Sequence, residues 1–191
     1  MAYATLAEAK AYRGIDVSDT EDDARITAVL SAVSAGIDNV CQRTFIRDEA
    51  ESARTFEVQA GCFLEVDDFY TTTGLLISGS AWSSSAYLLK PRNGVQSGQS
   101  GWPYTSIWPK ATSWAWWYAG REITITARWG WAAVPAPVKE ACLIATSDML
   151  GLKDARFGVA GYGEFGPMRV RENGAVMSML APYVRDPVLV G

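Results

Sequence analysis

Residues able to do chemistry are few in this chain, and their spacing suits catalysis poorly. Glu65, Asp67 and Asp68 gather three carboxylates near one expected strand end. Such a set does acid–base work only when its environment splits the pKa values; a solvated turn is the expectation here. Gly161-Tyr162-Gly163-Glu164-Phe165-Gly166 matches the dinucleotide pattern GxGxxG by letter. That pattern functions between a strand and a helix N-terminus, where backbone amides meet pyrophosphate. Here a helix precedes it, and Pro167 with a short strand follows, so an interface or flexible loop is expected instead. Cys41, Cys62 and Cys142 are odd in number, widely spaced and form no CxxC. They read as buried free thiols in a reducing cytosol rather than as metal ligands. There is no histidine, which removes His-based triads, HExxH zinc sites and imidazole switches. No GxxxxGK[ST], GxSxG or EF-hand ladder occurs. The inventory implies no catalytic residue, no metal and no cofactor, hence no enzyme.

Aromatic residues are the other concentration. All eight tryptophans lie between Trp82 and Trp131, with Tyr87, Tyr104 and Tyr118 among them. Trp114-Ala115-Trp116-Trp117-Tyr118 is too dense for every ring to face a small core. Trp102, Trp108, Trp114, Trp116, Trp117 and Tyr118 are therefore the candidate partner interface, since aromatics dominate interface energetics. Two other readings stay open: a carbohydrate-stacking platform, and a small β core under a Trp-rich lid.

Charge is divided along the chain. The total is −4, yet residues 1–68 hold 14 acids and 6 bases while the remainder is net positive. An acidic chain is a poor prior for gripping nucleic acid. It is compatible with a wall that a polyanion slides past. Asp16, Asp19, Glu21, Asp22 and Asp23 form the sharpest cluster; a solvated first helical turn, favoured by the helix dipole, is the expectation from the residues alone.

Elements must position these groups. The 191 residues have 49% hydrophobic and 20% charged content, the composition of a folded domain rather than a disordered one. Thr5-Leu6-Ala7-Glu8 is a capping box opening a short helix stopped at Gly14. Ser18-Asp19-Thr20-Glu21 is a second, predicted to open a helix reaching about Arg43. Its stripe is Ile26, Leu30, Val33, Ile37 and Val40. The stripe is core in one reading and a seam with a neighbouring subunit in another. Strands are expected at 55–58, 62–66, 74–78 and 87–89. The clearest is 122–129, where Ile123, Ile125, Ala127 and Trp129 alternate with polar residues. Residues 91–120 resist assignment, and loops this long are usually functional. Pro135 and Pro137 open a third helix with the stripe Val138, Cys142, Ala145, Met149 and Leu152. A short strand is expected at 168–172, a turn at Asn173-Gly174, and a last helix over 175–183. No run is apolar enough for a membrane span, and no basic, apolar leader opens the sequence. The class is α+β: a bundle of three to four helices with an antiparallel β insertion between helices 2 and 3. The parts are 1–53, a Trp-rich insertion 54–133, and 134–191.

Several motifs, in order, resemble the head–tail adaptor (connector, head completion) proteins of long-tailed bacteriophages. They are Tyr3-Ala4-Thr5-Leu6-Ala7-Glu8-Ala9-Lys10-Ala11-Tyr12-Arg13-Gly14, then Asp23-Ala24-Arg25-Ile26, and a helix ending Cys41-Gln42-Arg43-Thr44-Phe45. Val134-Pro135-Ala136-Pro137-Val138-Lys139-Glu140-Ala141 follows the sheet. Phe157-Gly158-Val159-Ala160-Gly161 and Leu180-Ala181-Pro182-Tyr183-Val184-Arg185 match the family's ending. The Trp-rich segment near 80–118 departs from the family pattern. The resemblance implies a structural virion protein, made in the host cytoplasm and resident in the neck. It implies a ring, typically of twelve, between the portal protein and the stopper or tail completion protein, with genomic DNA passing through unbound. It implies a portal-docking tail formed by Tyr183, Arg185, Pro187, Val188, Leu189 and Val190. Asp19, Glu21, Asp22 and Asp23 would line the channel. A carbohydrate- or partner-binding β module with a Trp platform is the alternative.

Overall fold

The stripe Ile26, Leu30, Val33, Ile37, Val40 is buried along its whole length. It belongs to a computed structural model that describes residues 2–60, 62–110, 117–151, 170–171 and 173–185. The fold is α+β, with antiparallel strands inserted between the second and third helices. Contacts divide the described residues into two units. One runs to Phe45 and resumes at Val134; the other spans Ile46 to Ala133.

The first unit is helical. Helix α1 is Leu6–Arg13, and its capping box forms as read. Thr5 Oγ1 accepts from Glu8 N at 3.2 Å, and the Glu8 carboxylate accepts from Thr5 N at 2.8 Å. Gly14 ends it at φ 68°, the left-handed conformation that a C-terminal stop requires. Helix α2 is Asp23–Cys41 and helix α3 is Ala136–Gly151. Val138, Cys142, Ala145 and Met149 of α3 are buried as expected; Leu152 lies outside the described residues. Helix α4 is Gly174–Leu180, followed by a 3-10 turn at Ala181–Tyr183. α3 packs on each of α1, α2 and α4. Two arginines hold its C-terminal turn: Arg13 donates to Ser147 O (2.9 Å) and Arg25 to Leu150 O (3.2 Å). The Leu150 carbonyl is one of the last four of α3, which have no intrahelical partner.

Three local expectations are corrected here. The second capping box does not form: the N-cap of α2 is Asp22, without a side-chain cap bond. Ser18 is taken instead by Asp16, whose carboxylate accepts from Ser18 N (2.8 Å) and Oγ (2.6 Å). Asp19 likewise accepts from Glu21 N. The acids fold a turn onto themselves before the helix begins. Val170 and Arg171 are helical, not extended. Asn173 is the N-cap of α4 rather than a turn residue, its Oδ1 accepting from Ala175 N and Val176 N.

Among its described residues the second unit holds two three-stranded antiparallel sheets and a hairpin. The strands are β1 Ser52–Glu57, β2 Leu64–Phe69, β3 Leu76–Ile77, β4 Tyr87–Lys90, β5 Val95–Gln96, β6 Gln99–Ser100, β7 Tyr104–Pro109 and β8 Glu122–Ala127. The sheet orders are β1-β8-β3 and β2-β7-β4, with β5-β6 as the hairpin. Bridges at Val58–Leu64 and Phe69–Trp129 join the two sheets. The alternation read in β8 is real: Ile123, Ile125 and Ala127 are buried, and Thr124 faces Thr55 across the outer side. The unassigned stretch 91–120 contains β7, the central strand of the second sheet. Just after β8, Gly130 sits at φ 92°, and a Cβ there would come within 1.8 Å of Ile46 O. Only glycine fits that crossing.

Trp129 organises this unit. Its ring is 2% exposed and packs against Phe56 and Phe69. Its Nε1 donates to Ser52 O at 2.9 Å. The Arg54 guanidinium lies 4.6 Å from the ring centroid while pairing with Asp67 (2.7 Å) and Asp48 (3.3 Å). Trp129→Ala is expected to cost about 3–5 kcal/mol. Trp129→Phe, which keeps a ring and loses the donor, should cost about 1–2 kcal/mol. Denaturant unfolding of both variants checks the ordering.

Candidate functional site

Cys41 and Cys142 offer no nucleophile. Cys41 and Cys142 are buried, Cys62 is half-buried, and all three are free thiols. Burial pushes the Cys41 thiol up to about 12 and raises that of Cys142, so neither carries thiolate at neutral pH. The three carboxylates near β2 do not converge. Asp67 and Asp68 are adjacent in a stretch of β2 whose pairing with β7 is irregular, and they take different partners. Asp67 pairs with Arg54. Asp68 is buried and accepts from Trp131 Nε1 at 2.9 Å, and Glu65 is half-buried. Among the described residues no group of three acidic or cysteine side chains could hold a metal ion. The glycine-rich run 161–166 lies outside them.

The acidic cluster is built around a buried cation. Lys10, 2% exposed on α1, reaches into the loop between α1 and α2. Its ammonium donates to Val17 O (3.2 Å) and Asp19 O, and pairs with the Asp23 carboxylate. A lysine is almost never this buried unless paired. Here it neutralises Asp23 and ties down the loop bearing the remaining acids. Asp19, Glu21 and Asp22 stay exposed; Asp22 has a long contact to Arg25 at 3.7 Å. The acids are visible in the sequence; the burial of Lys10 is not, because its partners include backbone carbonyls of the following loop.

The candidate interface rings have different fates. Trp117 is 2% exposed and Trp102 is buried against Trp131, ring centroids 5.1 Å apart. Trp108, half-buried on β7, is flanked from both neighbouring strands. Phe63, leading into β2, stacks on it at 4.3 Å and 4°. Lys90, ending β4, places its ammonium 3.7 Å from the centroid. A sugar platform needs an open ring face, and Trp108 has neighbours on both flanks. Tyr118 is 61% exposed, with Arg121 5.6 Å from its ring. Trp114 and Trp116 lie outside the described residues.

The expected docking tail has a described root. Tyr183 is buried edge-on against Phe45, centroids 5.8 Å apart. Arg185 N donates to Cys41 O at 2.9 Å, at the end of α2. Val184 between them is partly exposed. Pro187, Val188, Leu189 and Val190 lie outside the described residues.

No protein-family model matches the chain, and no curated protein matches it. Among solved structures it is similar to a chain of "Neck of empty GTA particle computed with C6 symmetry". The TM-score is 0.55 and the identity 18%, covering 99% of this chain and 93% of that one. The fold is that of a chain from a particle neck. At this identity the likeness is one of fold, and it runs nearly the length of both chains. Among the described residues no helix is long and apolar enough to cross a membrane.

One ion pair links the first helix to the third. The Glu8 carboxylate accepts from Lys139 Nζ at 2.8 Å as well as from Thr5 N. Those hydrogen bonds hold it down at about 2 instead of 4.5. A carboxyl lowered on folding stabilises fully above its unfolded value and loses that contribution as pH falls through the folded one. Glu8 is 38% exposed, so solvent screening reduces the gain. Glu8→Gln is expected to lower stability by about 0.5–1 kcal/mol at pH 7. The gap to the wild-type chain should narrow below pH 4.5 and close near pH 2, as followed by thermal unfolding.

Proposed function

We propose that this chain is a structural subunit of the neck of a phage-type particle. In this reading its copies assemble as a ring that adapts the portal vertex to the stopper or tail completion protein. The observation that carries the reading is the fold likeness to a chain from a GTA particle neck, spanning both chains almost end to end. That neighbour comes from an assembly with C6 symmetry; for this chain we propose twelve copies, as the adaptor resemblance implies. The work is non-enzymatic. It consists of presenting the same surfaces repeatedly around an axis.

Each surface then has a proposed part. The exposed acids Asp19, Glu21 and Asp22, with Asp23 held by Lys10, give the lumen negative potential, so genomic DNA passes without being gripped. Tyr118, the exposed described ring of the candidate interface, meets a partner in this reading, together with Trp114 and Trp116 of the same run. The tail from Tyr183 and Arg185 to Val190 docks on the portal, anchored where Tyr183 is buried. The buried rings Trp102 and Trp117 support that presentation from inside the subunit.

Electron microscopy of the purified chain and of particles carrying it tests this reading. Closed rings at the neck, with Asp19–Asp23 facing the lumen, are expected. A chain that stays monomeric and is missing from tailed particles would refute the assignment. Acids on the outer rim would remove the channel role alone. Deleting residues 186–191 should abolish most co-purification with the portal protein while shifting the thermal midpoint by less than about 2 °C. Unchanged co-purification would count against the docking tail.

A further inference from the structure

Tyr3 stands in the short segment before α1, yet it is only 2% exposed. Its backbone N–H donates to Ser34 Oγ at 3.0 Å, and Ser34 in turn donates to Leu30 O at 2.8 Å. Its hydroxyl donates to the Asp38 carboxylate and accepts from Phe45 N at 3.0 Å. Its ring meets Phe45 edge-on, centroids 5.6 Å apart at 78°. The other side of this arrangement is the tail root, where Tyr183 meets Phe45 edge-on at 82°. Phe45 is fully buried between them and is the last residue of the helical unit before the chain enters the sheets.

Three chain segments therefore share one stack: the strap 2–5, the exit from α2, and the turn that launches the C-terminal tail. We infer that the strap is a releasable latch on the tail root, with Tyr3 holding Phe45 in the position that seats Tyr183 and Arg185. Lifting the strap withdraws one hydrogen bond and one ring from Phe45, and frees Asp38 and Ser34 of α2 from Tyr3. Tyr183 then loses its backing, and the bond from Arg185 N to Cys41 O opens. The latch is local, because α3 is secured independently by Arg13, Arg25 and Lys139. It rests on contacts inside one unit and requires no partner, so it stands apart from the neck assignment.

Hydrogen exchange of the full chain, read at single amides, tests it. Tyr3→Ala should speed exchange of the Arg185 amide about tenfold, the worth of a buried aromatic pair. Tyr3→Phe keeps the ring and loses the hydroxyl bonds, and should speed it about threefold. Core amides of α3 should stay within about twofold of wild type in both. By reciprocity, Tyr183→Ala should speed the Tyr3 amide by a similar factor to that seen at Arg185 in Tyr3→Ala. An Arg185 amide unchanged in both Tyr3 variants overturns the latch. So does acceleration as large in α3 as at the tail root, which would make Tyr3 a general core residue. If Tyr3→Ala does not fold, the Tyr3→Phe measurement decides alone.

Discussion

Burial of the α2 stripe is the constraint on which the helical unit depends. Ile26, Leu30, Val33, Ile37 and Val40 recur at helical spacing and are all taken out of water. Each such side chain contributes roughly 1.5–3 kcal/mol when fully buried, more than any ion pair on the surface of this unit. The same helix supplies the polar points that fix everything else. Ser34 receives the strap, Asp38 receives Tyr3, and Cys41 O receives the tail root. A stripe about four turns long thus sets a register, and the groups at its far end use that register to hold two chain segments from outside the helix.

How far the sequence discloses this follows from the range of each signal. Helical periodicity is local and strong, so α2 and α3 and their buried faces are legible, as is the α1 capping box. Alternation made β8 legible for the same reason. Boundaries depended on competition between neighbouring side chains. Ser18 could cap a helix or bond Asp16, and nothing in the letters decides that. Strand β7 was illegible because Pro103 and Pro109 bracket it and its Ser and Thr residues mimic loop composition. What makes it central is pairing with β2 and β4, a long-range fact. The burial of Lys10 is of that kind too: a lysine in a helix carries no mark of the carbonyls that will surround it.

The aromatic segment divides between interior and surface in a way composition could not separate. Trp102, Trp117, Trp129 and Trp131 are buried. A small two-sheet unit has little volume to fill and many edges to close, and large flat rings achieve both with few residues. Trp129 does so while also holding Ser52 and Arg54. Rings spent this way are unavailable to a partner. Of the described residues in the run 114–118, Tyr118 is exposed and Trp117 buried, so exposure, not the number of tryptophans, is what a partner reading of the segment must rest on.

Charge must be weighed by position in the same way. At physiological ionic strength exposed charges act over about 8 Å, so a total of −4 says little about what a passing polyanion would feel. Side chains within that distance of its path decide it. The Lys10 lock matters for this reason. It cancels Asp23 at the helix entrance, yet by gripping the carbonyls of Val17 and Asp19 it fixes the loop on which Asp19, Glu21 and Asp22 remain exposed. A buried cation thus costs the cluster one charge and gives the remaining ones a defined place. In a symmetric ring a defined place is repeated in every copy, whereas a floppy acidic loop would average its field away. For the proposed function the requirement is therefore rigidity of the loop rather than a larger number of acids.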